Sequence, residues 1–271
     1  MIAVLGATGM IGTHVAAGLA ATGVEARALV RDPARPGLAL PPVAADLRDA
    51  ASLRAALDGA EQLFLLTPHG PDQDLLEASA IDAARAASVG RIVKVSGGAP
   101  SLGPNGASST AVAHWRSERR IEDSGLRFCF LRPSFLMQNL LAMTPKAGLL
   151  PAPMGHAPIA MVDARDVAEC AVAQLLDAGA ADTAWHLTGP APVMFKDVAA
   201  RLGAKYLNVP PCLAAIALRR QGASPFEIDH ALRMAAYFAS GADGAPTEAV
   251  RAITTRAPRT LDEFLADQKG N

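Results

Sequence analysis

The residues of this chain best placed to do chemistry begin at Gly6-Ala7-Thr8-Gly9-Met10-Ile11-Gly12, which follows the apolar run Ile2–Leu5 and opens a helix-period stretch. Glycine belongs at such a turn because the backbone bends sharply, a pyrophosphate must approach it closely, and the helix must pack on the strand. Free N–H groups at the start of that helix then point at the anion. Gly6, Thr8, Gly9, Met10, Ile11 and Gly12 are therefore candidate binding residues for a dinucleotide, with a tight turn carrying no ligand as the alternative. The chain lacks the G-x-x-x-x-G-K-[ST] pattern, which argues against a phosphate-transferring P-loop.

An acidic residue about 20 residues past such a turn, at the end of the second strand, would grip the ribose of NAD. Arg31 stands in that region instead. A guanidinium can pair bidentately with the 2′-phosphate of NADP and stack on adenine, so NADP (NADPH) is expected in preference to NAD. Asp32 follows at once and weakens that preference if it turns inward, while Arg35 offers a second cation. Asp46 and Leu47 follow the third expected strand, where a carboxylate can accept from the adenine amino group, and Thr67 and Pro68 end the fourth. Asp46 is equally suited to capping the helix that follows it.

These positions share a site only if short strands deliver them to one edge. The first half supplies that pattern, with apolar runs at Ile2–Leu5, Glu25–Val30, Pro42–Ala45, Gln62–Thr67, Arg91–Val95 and Phe128–Leu131. Helix-period stretches at Ile11–Ala21, Ala50–Leu57, Gln73–Ala87 and Ser109–Asp123 alternate with them. Strands this short and apolar suit a sheet covered on both faces. The fold expected is α/β, a doubly wound parallel Rossmann sheet with a smaller, mostly helical C-terminal cap over the substrate. Residues 1–180 would form the NAD(P)-binding domain, with 134–156 contributing to the substrate pocket, and 181–271 the cap. Beyond the irregular Pro133–Gly155 stretch, strands are expected at Ile159–Val162, Trp185–Leu187 and near Lys205–Val209, with helices at Asp163–Leu176 and near Phe195–Leu202.

With 271 residues, 51% hydrophobic and 19% charged, the chain is long and apolar enough to bury a core, which excludes disorder. Its 25 Lys+Arg offset 26 Asp+Glu, a formal charge of −1, so it lacks the basic surplus that nucleic acid or an anionic membrane surface would require. Neither partner is expected. Cys129, Cys170 and Cys212 are odd in number and widely separated, which suggests a reducing compartment and a cytoplasmic protein. The apolar start carries no basic n-region and is broken by glycines, so it reads as folded protein. No apolar run reaches the roughly 18 residues of a membrane span. Met234, Tyr237 and Phe238 are read either as core or as a contact surface for a homodimer.

Several stretches together resemble the NmrA-like, atypical branch of the short-chain dehydrogenase/reductase superfamily. They are the Gly6–Gly12 turn, Val30-Arg31-Asp32-Pro33, His114-Trp115-Arg116-Ser117-Glu118 with Ser124-Gly125-Leu126, and Leu131 through Asn139. Val162-Asp163-Ala164-Arg165-Asp166-Val167-Ala168 and Arg256 through Phe264 extend the likeness to nearly the whole chain. The family includes NADPH-dependent quinone and triphenylmethane-dye reductases, iminium reductases of the ergot-alkaloid type, and redox-sensing regulators that bind the cofactor without turning it over. The resemblance implies a Rossmann fold, a bound NADP(H), and Pro133 through Phe135 bordering the nicotinamide ring.

The parent superfamily uses a Tyr-x-x-x-Lys pair as proton donor, which this chain does not have. Its two tyrosines, Tyr206 and Tyr237, have Pro210 and Gly241 four residues later. Reducing a ketone develops an alkoxide that needs a donor, whereas a quinone, an iminium or a cationic dye already carries an electron sink. Where the tyrosine helix is expected, His114 and Glu118 lie four apart on one face. With Ser96, at the end of the fifth strand, they are the candidate catalytic groups; a plain i,i+4 contact is the alternative. Histidine could donate a proton near neutral pH. No further ligands accompany His114 and Glu118, so no metal site is expected. The function expected is NADPH-dependent hydride transfer to a conjugated or cationic small-molecule acceptor. The alternative is an NADP(H)-sensing regulator acting on a protein partner. A sugar-nucleotide epimerase shares the fold but ordinarily wants the tyrosine.

Overall fold

The computed structural model of the protein describes residues 1–177 and 179–269. Strand and helix alternate as β1 (Ile2–Leu5), α1 (Gly12–Thr22), β2 (Ala26–Val30), β3 (Pro42–Ala44), α2 (Ala50–Ala56), β4 (Gln62–Leu65), α3 (Gln73–Ala86), β5 (Arg91–Val95), α4 (Ser109–Asp123) and β6 (Arg127–Pro133). The rest of the chain forms β7 (Leu149–Ala152), α5 (Ala164–Leu176), β8 (Thr183–Leu187), α6 (Phe195–Arg201), β9 (Lys205–Asn208), α7 (Pro211–Arg220), α8 (Pro225–Ala239), α9 (Ala249–Thr254) and α10 (Leu261–Lys269).

Seven strands make one sheet in the order β3-β2-β1-β4-β5-β6-β8. The pairs from β3 through β6 are parallel, with Leu5 opposite Leu29 and Leu65, and Leu65 opposite Lys94. The chain winds outward from β1 in one direction and, from β4, in the other; this is the doubly wound Rossmann arrangement, whose ligand crevice lies at the carboxyl ends of the strands flanking that reversal. Strands β1, β4 and β5 are buried along their whole length, as strands covered by helices on both faces must be. On one face Gly18 lets α1 approach α5 closely: a Cβ there would lie 2.9 Å from Val172 Cγ2. On the other, Leu53 and Ala56 of α2, Ile81 and Ala84 of α3 and Ile121 of α4 pack with Leu63, Leu65 and Ile92 of the sheet.

The chain divides into two compact units built from interleaved stretches. The first comprises Met1–Ser96, Ala113–Arg132 and Ala164–Trp185, and the second Gly97–Val112, Pro133–Asp163 and His186–Asn271. The second has its own core, in which Phe135 meets Phe195 and Phe238 edge to face. Phe238 is buried in that core and Met234 and Tyr237 pack against it, so these three residues serve the interior of the unit. A two-stranded parallel sheet, β7 with β9, closes it. Strand β7 lies inside the stretch that reads as irregular, because its four residues include Pro151, which signals a break and is tolerated only in so marginal a sheet. Ile159–Val162, expected as a strand, makes only isolated bridges, Ile159 with Val193 and Val162 with Leu136.

Candidate functional site

The glycine turn is shaped by contacts that no side chain would survive. Gly6 has φ +88°, and a Cβ on it would stand 2.4 Å from the Leu66 carbonyl oxygen; one on Gly12 would stand 1.9 Å from the carbonyl oxygen of Gly6. Gly9 N–H donates to that same Gly6 oxygen at 3.0 Å, closing the turn. Helix α1 then starts at Gly12 with Ile11 as its N-cap, with neither a side-chain cap nor an acidic residue in its first turn. An uncapped helix start beside bare backbone is a ready anion site. Thr8 is half-buried and Met10 exposed at its rim.

The parallel register carries the other predicted positions to the same edge of the sheet. Arg31, just past β2, is exposed. The Asp32 carboxylate accepts from Ala34 N–H at 3.0 Å, closing its own turn. Asp46, past β3, accepts from Arg48 N–H at 2.9 Å; the cap of α2 is Asp49, which accepts from Ala51 and Ser52. Leu47 packs against the sheet core. Thr67, past β4, is buried and gives its hydroxyl hydrogen to Glu77 at 2.8 Å, while Pro68 is exposed.

Behind β4 and β5 lies a polar knot within the first unit. Lys94 of β5, fully buried, donates to Glu77 Oε1 at 2.7 Å and lies 3.2 Å from His114 Nδ1. Gln73 Nε2 stands 3.2 Å from both ring nitrogens of His114. Gln73 and Glu77 are four apart on α3, so both project from one face of that helix. His69 meets the His114 ring edge-on, with centroids 5.7 Å apart. Lys94, Glu77 and Gln73 escape a reading by sequence motif. Lys94 interrupts the apolar run Ile92-Val93-Lys94-Val95, and extending the buried stripe Ala84-Ile81-Ala80 back along α3 lands on Glu77 and Gln73. A charge inside a strand that reads as buried throughout is the signal that was available, since such a charge needs a partner.

His114 and Glu118 are both buried on α4, yet they serve different neighbours. Glu118 takes Arg132 of β6 bidentately, at 2.9 and 2.6 Å, which ties helix to strand. Ser96, at the end of β5, is buried, and its hydroxyl has no hydrogen-bond partner among the described residues. Pro133 ends β6 and is buried in the second unit. Next to it, Ser134 donates to Asp243 at 2.6 Å, and His186 Nε2 lies 3.0 Å from the other oxygen of Asp243, off the line of a hydrogen bond. Tyr206 donates to the Ala152 carbonyl, and burial raises the Tyr237 phenol well above its usual range with Asp243 adding to the effect.

Residues 6–178 match the model of a family described as NAD(P)H-binding. The chain belongs to that family. Within it, this chain falls in the NmrA-like, atypical branch of the short-chain dehydrogenase/reductase superfamily. It is 32% identical to an NAD(P)H azoreductase from Xenophilus azovorans, over 97% of this chain and 96% of the relative. It is also 32% identical to Quinone oxidoreductase 2 of Escherichia coli strain K12, over 82% of each chain. The crystal structure of the NADPH-dependent quinone oxidoreductase from Escherichia coli complexed with NADPH superposes with a TM-score of 0.90 at 26% identity, covering 100% of both chains. The uncapped α1 start, the glycine contacts and the orphaned Ser96 hydroxyl fit the dinucleotide that defines an NAD(P)H-binding family member. Among the described residues no helix is long and apolar enough to cross a membrane, and no group of three or more His, Cys, Asp or Glu side chains could hold a metal ion.

Proposed function

We propose that this NAD(P)H-dependent oxidoreductase is a reductase that uses NADPH to reduce a flat conjugated or cationic acceptor of the quinone, dye or iminium type. The observation that carries the reading is the pairing, on one sheet edge, of a glycine cradle that admits no Cβ at Gly6 or Gly12 with an exposed Arg31 whose acidic neighbour closes its own turn. The backbone of Gly6 through Gly12 holds the diphosphate, and Arg31 holds the 2′-phosphate that separates NADPH from NADH. Asp46, Leu47, Thr67 and Pro68 line the way along the strand ends; Thr67 acts there through its backbone, because its hydroxyl is committed to Glu77. Ser96 offers a hydroxyl free to meet a ligand.

When bound, the reduced nicotinamide supplies a hydride. The chain's task is to hold the ring against the acceptor and keep water from competing. Neither Tyr206 nor Tyr237 heads a Tyr-x-x-x-Lys pair. Acceptors that stabilise the incoming electron pair themselves are therefore favoured; a quinone takes the hydride and one solvent proton to become the hydroquinone.

The test is loss of nicotinamide absorbance with purified protein, NADPH or NADH, and a panel of quinones, azo dyes, triarylmethyl dyes and iminium compounds. Turnover of at least one acceptor, faster with NADPH, is expected. Tight NADPH binding with no turnover anywhere in the panel would overturn the reading in favour of a nucleotide-sensing protein.

A further inference from the structure

His114 sits against an ammonium. Lys94 Nζ is 3.2 Å from its Nδ1, and the lysine is in turn 2.7 Å from Glu77 Oε1, with all three side chains buried. An ammonium donates hydrogen bonds and accepts none. Nδ1 must therefore present its lone pair, which leaves the ring proton on Nε2. The extra proton stays on the lysine because Glu77 Oε1 is closer to the lysine, at 2.7 Å, than to the ring, at 3.8 Å.

The Gln73 side-chain amide stands 3.2 Å from both ring nitrogens. An atom equidistant from the two lies well off the in-plane direction of either, so Gln73 packs on the ring without selecting the tautomer, and that choice falls to Lys94. Around this pair, His69 meets the ring edge-on, and Glu118, one turn along α4, has both oxygens taken by Arg132.

We propose that Lys94 is a positioning residue that holds His114 as the neutral imidazole protonated on Nε2, so that His114 is not the acid that protonates the reduced acceptor. The consequence for substrate class rests on the reductase reading above. With His114 not serving as the acid, the favoured acceptors become neutral on taking hydride, as a triarylmethyl or iminium cation does, or become a stabilised anion, as a quinone does, which then takes its proton from water.

The deciding experiment is NMR of the full-length protein labelled with 15N at histidine and lysine, followed from about pH 5 to 8, the range in which an unconstrained histidine titrates. His114 is assigned by the signal lost in His114→Gln. Expected are a pyridine-like Nδ1, a pyrrole-like Nε2 and an ammonium at Lys94, unchanged across the range. An imidazolium or an Nδ1–H tautomer at His114, or a neutral Lys94, overturns the proposal in wild-type protein alone, whether or not any variant folds. In the paired variant Lys94→Met with Glu77→Gln, which leaves no lone buried charge, His114 is expected to mix tautomers or to titrate; an unchanged His114 there refutes the role of Lys94. On an accepted substrate, kcat should show no acid limb in this range for the wild type. Should no acceptor be found, the reductase reading falls while the histidine spectra still decide the tautomer.

Discussion

Lys94 of β5 and Glu77 of α3 share a 2.7 Å hydrogen bond with neither side chain exposed to solvent. Two charges withdrawn from water are held by each other, and breaking one strands the other. Glu77→Ala or Lys94→Met alone should each cost about 3–5 kcal/mol of stability, while replacing both with apolar residues of similar volume should cost much less. Chemical denaturation of the two single variants and the double variant measures this, and equal losses in all three would contradict it.

The glycine turn should respond in a graded way. A Cβ at Gly12 would meet the Gly6 carbonyl oxygen at 1.9 Å, whereas one at Gly9 would meet the same oxygen at 3.4 Å, an ordinary contact. Gly12→Ala is therefore expected to distort the turn and reduce cofactor affinity beyond detection. Gly9→Ala should fold normally and lose affinity only where its methyl crowds the diphosphate. Calorimetric titration with NADPH separates the two, and similar affinities for both variants would refute the assignment.

Arg31→Ala should weaken NADPH and spare NADH. Hydrogen bonds to charged groups contribute about 1.5–3 kcal/mol, so a loss of about ten- to a hundredfold in NADPH affinity is expected. If both reduced cofactors weaken alike, Arg31 is not reading the 2′-phosphate.

Burial holds the His230 imidazole below its ordinary value of 6.5, with Asp229 pulling weakly the other way, and its Nδ1 lies 3.1 Å from Ser108 Oγ. The unfolded chain then binds the proton more readily than the folded one. The stability contributed by neutral His230 is complete above about pH 6.5 and is lost as pH falls from there toward the lower folded value. Melting curves of wild type and His230→Gln at a series of pH values should show a steeper acid-side decline in the wild type; parallel curves would show that His230 takes no part.

The Rossmann half was legible because its signals are local. A strand that must be covered on both faces is written mostly in apolar residues, and β1 and β5 have the bounds expected for them. The turn at Gly6 was legible for a similar reason, since its backbone requirement admits few residues. Side-chain partnerships were not. Nothing local says that Thr67 gives its hydroxyl to Glu77, or that Glu118 faces Arg132 while His114 faces Lys94, because these pairs arise when separate helices close over the sheet. Strand β7 was hidden likewise: its sheet partner, β9, lies more than fifty residues on, and pairing across that separation leaves little trace in so short a segment.

The interleaving of the two units bears on how the chain is made. Emerging from the ribosome N-terminus first, it presents Ser134 long before Asp243, which lies 109 positions later, and Leu149 before Lys205. The second unit must wait for its late partners while most of the first already has the strands it needs. Shortened chains ending after Trp185 would contain every stretch of the first unit and only loose loops of the second, so limited proteolysis of such nascent fragments should spare the sheet and cut first between Pro133 and Asp163.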